Sequence, residues 1–478
     1  MTNMQVNAAN ANRALESGPR EALDQVLSTV GWDRIPPDHL KISGDDPILP
    51  SSFRIGAAGA ATIGAAGLAA ADLWELRTGR RQDVSIDVRT AAIAMRGQRY
   101  VHVVNQPAIA AWDPLSGYYQ SGDGRWVQLH CNFPHHRAGA IRVLGCDDAR
   151  ESAAAAIAKW DAQQLEDTFV AEGLCAVMAR DNDEWAAHAH AQAVDRLPLL
   201  EIIKIGDSAP EPMGPGDRPL SGVRALDLTR VLAGPTCGRT LAEHGADVMR
   251  ISGPHLPYHA NSALDTGHGK LTAFLDLRET DDMATLRQLA RNADIFTQAY
   301  RPGTLSSRGL SPEDLAALRP GIIYVSLSAY GHEGAWASRR GYDTLVQTAT
   351  GIALEEGAGG PPRHTPVSLL DYATGYLAAF GAMTALSRRA REGGSYLVRL
   401  SLCQTAHWFK SLGRAPASAN ALALPDPTQE DVADLMTESV GPLGRVRHLV
   451  PAIQMGETPA RWVRPVSPIG CHCPIWPE

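Results

Sequence analysis

Three apolar patterns divide the chain. The first is the run FRIGAAGAATIGAAGLAAADLWELRTGR, Phe53 to Arg80, where small residues recur with no polar stripe. Such a run predicts a closely packed helix to about Leu76. The turn signal Thr78-Gly79 follows, and then Val84, Ile86 and Val88 alternate on one face of a strand. Ahead of the run lie a short helical lead, REALDQVLSTVGW, and a Pro-rich connector with RIPPDHL and DDPILPSS. The second pattern, residues 115 to 205, predicts a smaller α+β unit. GYYQSGDGRWVQLHC reads as a hairpin turning at Asp123-Gly124. AQQLEDTFVAEGL and NDEWAAHAHAQAV read as helices with charged faces.

The third pattern begins after GDSAPEPMGPGDRPLSG, Gly206 to Gly222, a linker with four prolines and four glycines. VRALDLT, ADVMRIS, FLDLR, DIFTQA and GIIYVSLSAYG then alternate as strands with the helices CGRTLAEHG, TDDMATLRQLARNA and SPEDLAALRP. This alternation predicts an α/β fold with a doubly wound, Rossmann-like parallel sheet. The expected division is 1–110, a helical lead and helix-strand unit packing on the large domain; 111–205, the small α+β domain; 206–222, the linker; 223–415, the large domain; and 416–478, a C-terminal tail.

One unit occurs twice. Residue n of the first helix-turn-strand falls on residue n+314 of VSLLDYATGYLAAFGAMTALSRRAREGG and the strand after it. Gly67 meets Gly381, Arg77 meets Arg391, Gly79 meets Gly393 and Val84 meets Val398. In this register Asp371, at the head of the second helix, meets Ala57.

With 478 residues the chain exceeds one ordinary core, and its 44% hydrophobic and 20% charged content is that of a globular protein. A net charge of -8 argues against nucleic-acid partners. Seven scattered cysteines read as reduced thiols. The N-terminus lacks a signal pattern, and Gly56 to Ala71 falls short of the roughly 20 strongly apolar residues of a membrane span. A cytoplasmic protein with no membrane partner is expected.

LSGVRALDLTRVLAGPTCGRTLAEHGADVMRI, GKLTAFLDLR, YRPGTLSSRGL, YVSLSAYG, RRGYDTLVQTATG and LLDYATGYLAAFGAMTAL occur in that order between Leu220 and about His407. Together they resemble the class III coenzyme A transferase family, the formyl-CoA and carnitine-CoA transferase group. Residues 53 to 205 resemble that family's later half, and GETPARWVRPVSPIG its terminal segment. The chain thus resembles one family fold with the small domain moved to the front and one helix-strand unit present twice.

The resemblance implies transfer of CoA from an acyl-CoA to a carboxylic acid, with Asp371 as nucleophile. Its carboxylate would form a mixed anhydride with the acyl group and then an aspartyl-CoA thioester. From the residues alone, Asp371 could equally be a helix cap. The resemblance also implies CoA contacts at Lys270, Arg301, Arg308, Tyr330 and Ala233. It implies no resident cofactor and no metal, CoA entering as substrate, and a homodimer. Ala57 cannot form an acyl intermediate, so the upstream copy is expected to be scaffold.

Three positions depart from the pattern. Ser252 stands where the family carries an acid after the third strand, Ala299 where an asparagine is common, and Ser307 at a basic loop position. A non-catalytic, partner-binding chain and a 2-methylacyl-CoA racemase are the competing readings. The racemase pattern GHDxxY has its His replaced here by Tyr342. HCNFPHH, His130 to His136, reads as strand-end histidines, and Cys471 with Cys473 lacks a second ligand pair.

Overall fold

Seven strands build the central sheet of the computed structural model, which describes residues 18–32, 39–109 and 112–477. The extreme N-terminus and most of the RIPPDHL connector lie outside the described residues. In chain order the strands are β1 (Leu40–Ser43), β2 (Val84–Asp87), β3 (His102–Val103), β4 (Gly117–Gln120), β5 (Trp126–Leu129), β6 (Ala176–Met178), β7 (Glu201–Gly206), β8 (Arg224–Asp227), β9 (Asp247–Ser252), β10 (Lys270–Phe274), β11 (Ile295–Gln298), β12 (Ile323–Ser328), β13 (Ser395–Ser401), β14 (Met436–Gly441), β15 (Gly444–Leu449) and β16 (Gln454–Met455). The helices that matter here are α1 (Pro19–Ser28), α2 (Ile55–Thr78), α3 (Ala233–Glu243), α4 (Asp343–Ala349) and α5 (Leu369–Glu392).

The central sheet has the order β10-β9-β8-β11-β12-β13-β7, parallel except for the antiparallel edge strand β7. Ala225, Val248 and Val325 face one apolar cluster, while their neighbours Leu226, Met249 and Tyr324 face another. Both faces are therefore covered, as a doubly wound sheet requires. The small unit folds as the antiparallel sheet β4-β5-β6 on its own core of Leu129, Leu165 and Phe169. The DG hairpin forms as expected, with Gly124 at φ +80.

Three expectations change. Residues 201–205, expected in the small unit, and the start of the linker form β7, whose backbone completes the open side of β13. The segment expected as a tail contains the β14-β15 hairpin, which pairs with β3, and β16, which pairs with β2. The Ala/Gly helix runs 24 residues, to Thr78, and by length and composition it could cross a membrane, but 89% of its apolar stretch is buried inside the protein. It is a core helix, packed between α1 and α5.

The internal repeat extends beyond the sequence matches. The parallel pair β1-β2 with α2 reproduces β12-β13 with α5. Antiparallel β16 pairs with β2 at Met455↔Val84 as β7 pairs with β13 at Ile202↔Val398. A Cβ on Gly67 would lie 2.6 Å from Ile453, and one on Gly381 would lie 3.1 Å from Leu200, so the two added strands bring apolar residues to matching glycines. Gly79 and Gly393 close the two helices with positive φ, accepting no Cβ cheaply. Each unit's last strand thus comes from the other side of the chain: β7 leads out of the first unit's small domain, and β16 lies near the C-terminus.

Candidate active site

Parallel strands end in loops at one edge of the sheet, and open sheets bind ligands there. The ends of β8, β11 and β12 supply Arg230 to Leu232, Ala299 to Pro302 and Leu327 to Ala329 to a cavity of about 330 Å³. The small unit closes one side with Phe133 and His135, and the segment before α4 adds Arg339, Arg340 and Tyr342. Val231, a β-branched residue in this lining, holds φ +68, a strained conformation of the sort found at functional sites.

Asp371 lines this cavity from the first turn of α5 and is 8% exposed. It is the one carboxylate in the lining, alongside Arg230, Arg301, Arg339 and Arg340. Among the described residues nothing donates a hydrogen bond to its carboxylate. Ala373, Thr374 and Gly375 after it are small because α5 crosses α3 closely. A Cβ on Gly375 would lie 2.4 Å from the Ala233 carbonyl oxygen.

The backbone of Asp371 is fixed from α4. Its N–H donates to Asp343 Oδ2 at 3.0 Å. Gln347 Nε2 donates to Asp343 Oδ1, and Gln347 Oε1 accepts the Thr365 N–H at 2.9 Å. Burial raises the Asp371 carboxyl well above the ordinary aspartate range, and the neighbouring Asp343 charge raises it further. Asp343 itself is raised to about 6, by burial, against the hydrogen bonds from Asp371 and Leu370 N–H. Two carboxylates that close resist ionising together.

The upstream copy has the same cap without an aspartate at the matching position. Asp46 accepts the N–H groups of Gly56 and Ala57, each at 2.8 Å, as Asp343 accepts those of Leu370 and Asp371. Ala57 is fully buried. The helix-head carboxylate has thus been kept at both heads, while the side chain that could react is present at one.

The sequence-expected CoA residues separate. Ala233 and Arg301 line the cavity, Arg301 exposed at its rim. Lys270 does not reach it. Its ammonium is enclosed, donating to Asp227 Oδ2 at 2.8 Å and to the Pro235 carbonyl at 2.7 Å. A lysine on a buried strand face must pair internally, and Asp227 on β8 provides the partner. Arg308 is exposed outside the lining and donates to the Leu277 carbonyl at 2.6 Å. Tyr330 is 1% exposed, packed edge-on to Trp336 at 5.2 Å, and also lies outside the lining.

Sequence reasoning missed Arg230, Tyr300, Arg339, Arg340, Phe133 and His135. The first four follow strand ends or precede the GYD block, the places where a parallel sheet presents its ligands. Arg339 is also structural: it donates to Glu166 at 3.0 Å and lies 4.0 Å over the Trp336 ring, tying the two units together. His130 stacks on Tyr342 at 4.1 Å, and His136 lies beside that ring at 6.1 Å. The HCNFPHH segment is thus a wall against Tyr342, and no metal-binding cluster of His, Cys, Asp and Glu occurs among the described residues.

The profile of CoA-transferase family III matches residues 40–205 and 220–433. An acyl-CoA transferase of Gibberella moniliformis is 29% identical over 405 residues, covering 75% of this chain and 71% of that protein. A succinyl-CoA:glutarate CoA-transferase of Mus musculus is 33% identical over 198 residues, covering 39% of this chain and 45% of that protein. A probable fatty acyl-CoA transferase of Mycobacterium tuberculosis is 33% identical over 206 residues, covering 40% and 52%. The chain therefore spans about half the length of these last two relatives. Among solved structures, a CAIB/BAIF family protein from Brucella suis is 27% identical with a TM-score of 0.37, covering 45% of this chain and 60% of that one.

Proposed function

The chain belongs to CoA-transferase family III, and on that premise we propose that it moves CoA from an acyl-CoA to a carboxylic acid through a covalent intermediate on Asp371. The observation that carries this reading is Asp371 as the one carboxylate in a cavity whose other charged side chains are the arginines Arg230, Arg301, Arg339 and Arg340. An Asp371 oxygen attacks the thioester carbonyl, the C–S bond breaks, and the CoA thiolate leaves a mixed anhydride. The thiolate then attacks the Asp371 carbonyl carbon and releases the donor acid. The acceptor carboxylate repeats these two steps in reverse and regenerates Asp371. No proton is gained or lost overall. The head of α5 favours the ionised nucleophile by roughly 0.3–1 kcal/mol.

The test is exchange of labelled CoA between an acyl-CoA and a panel of acids. Transfer by the wild type and none by Asp371→Asn supports the reading; transfer surviving that change overturns it.

One chain carries both the proposed nucleophile and the small-unit wall of the cavity, which supports a reading in which a single copy suffices for the chemistry. The homodimer that the resemblance implies is a separate question, read by sedimentation. Specific activity constant on dilution, with sedimentation measured in parallel, is the expected result.

A further inference from the structure

Arg250 on β9 is 5% exposed, yet its guanidinium makes no hydrogen bond or ion pair with any described residue, and its Nε is buried without a partner. A buried cation in that state is costly unless an anion arrives. Its cross-strand partner is Asp227. That carboxylate is already engaged: Lys270 donates to Oδ2, and the Thr229 N–H donates to Oδ1 at 2.9 Å, joined there by the Thr229 hydroxyl. One carboxylate therefore faces two buried cations. A further cation, the half-buried Arg230, stands close enough to repel Arg250 and lines the Asp371 cavity. Arg230 is held by the Pro257 carbonyl and the Phe133 face, neither of which carries a negative charge. Tyr300, also in the lining, lies within the influence of both arginines.

The next position on this face of β9 is Ser252, 8% exposed, where the resembled pattern carries an acid. Serine there leaves the excess positive charge uncancelled.

We propose that Arg250, Arg230 and Tyr300 form an anion seat beside the Asp371 cavity, which holds the charged end of a substrate, either a phosphate of CoA or the second carboxylate of a dicarboxylic acid. The seat deepens the transferase reading and rests on it for the identity of those substrates. Guanidinium groups suit both anions, through paired N–H donors.

Arg250→Met keeps the aliphatic stem and removes the charge. Binding of inorganic phosphate, CoA, 3′-dephospho-CoA, glutarate and pentanoate is measured by calorimetry on the wild type, Arg250→Met and Arg250→Lys. Loss of a charge-assisted contact predicts phosphate binding weakened about 10- to 100-fold in Arg250→Met and partly kept in Arg250→Lys. The ligand-free Arg250→Met protein melts no lower than the wild type, because it loses an unpaired buried charge. Loss of the preference for CoA over dephospho-CoA assigns the seat to CoA phosphate; loss of the preference for glutarate over pentanoate assigns it to an acid substrate. Unchanged binding of phosphate, CoA and glutarate overturns the proposal, as does a markedly lower melting temperature without ligand, which would make Arg250 a structural partner of Asp227. Phosphate binding by Asp371→Asn, which lacks the nucleophile, keeps this test separate from the transferase reading.

Discussion

Asp343 holds Asp371 by the backbone, accepting its N–H at 3.0 Å, and thereby places a second carboxylate beside the one that lines the cavity. The contact orients the head of α5. It also makes ionising Asp371 harder, because the two charges oppose each other.

That opposition sets a pH dependence. In the proposed reaction Asp371 must be ionised to attack, and its carboxyl is raised by burial and by Asp343. The rate therefore rises with pH along an acid limb above the ordinary aspartate range. Asp343→Asn keeps a hydrogen-bond acceptor and removes the charge, so the limb moves to lower pH. A kcat/KM profile of the two proteins checks this; an unmoved limb would show that Asp343 acts by position alone.

Asp46 gives a stability test free of catalysis. Its carboxyl is raised from 3.8 to about 6, chiefly by burial. A raised acid binds its proton more tightly in the folded state, so its contribution is complete below pH 4 and lost as pH rises through about 6. The linkage amounts to about 3 kcal/mol. Urea melts of the wild type should fall in stability by that order between pH 4 and pH 7, relative to Asp46→Asn, once the remaining pH dependence common to both is subtracted.

Lys270 separates a structural ion pair from a ligand contact. Lys270→Met leaves Asp227 buried at 1% exposure without its strong partner, which costs about 3–5 kcal/mol. The variant should melt lower while its folded fraction keeps the wild-type KM for CoA. A raised KM at unchanged stability would restore Lys270 to the CoA site.

Gly375 tests the close crossing of α3 and α5. The Cβ of Gly375→Ala meets the Ala233 carbonyl oxygen at 2.4 Å and Thr236 Cβ at 2.6 Å. The helices must part, at a cost of about 1–3 kcal/mol. Because Gly375 lies one turn after Asp371, a shift approaching 1 Å there lowers kcat by about 100-fold. Denaturant melts and kcat, measured together, separate the two effects.

Apolar periodicity and the strand-helix alternation made the large domain legible, because a sheet buried on both faces writes continuous apolar runs. The blocks around Asp371 pointed to it, and the structure places its side chain in the cavity lining. β7 and β16 were not legible: strands of six and two residues that complete another unit's edge carry no periodicity of their own, and their pairing is set by tertiary neighbours. Lys270 misled because a basic residue before an apolar strand reads the same whether its partner is a phosphate or Asp227. Arg230 and the Arg339-Arg340 pair were missed because they lie in separate loops far apart in sequence, and only the sheet edge gathers them with Arg301.

Peptide mapping by mass spectrometry after mixing the protein with acyl-CoAs and quenching with hydroxylamine tests the central claim most directly. The account predicts a hydroxamate on Asp371, absent in Asp371→Asn and never found on the upstream helix bearing Ala57. An adduct on another residue, or unmodified Asp371 in protein that is actively transferring CoA, would contradict it.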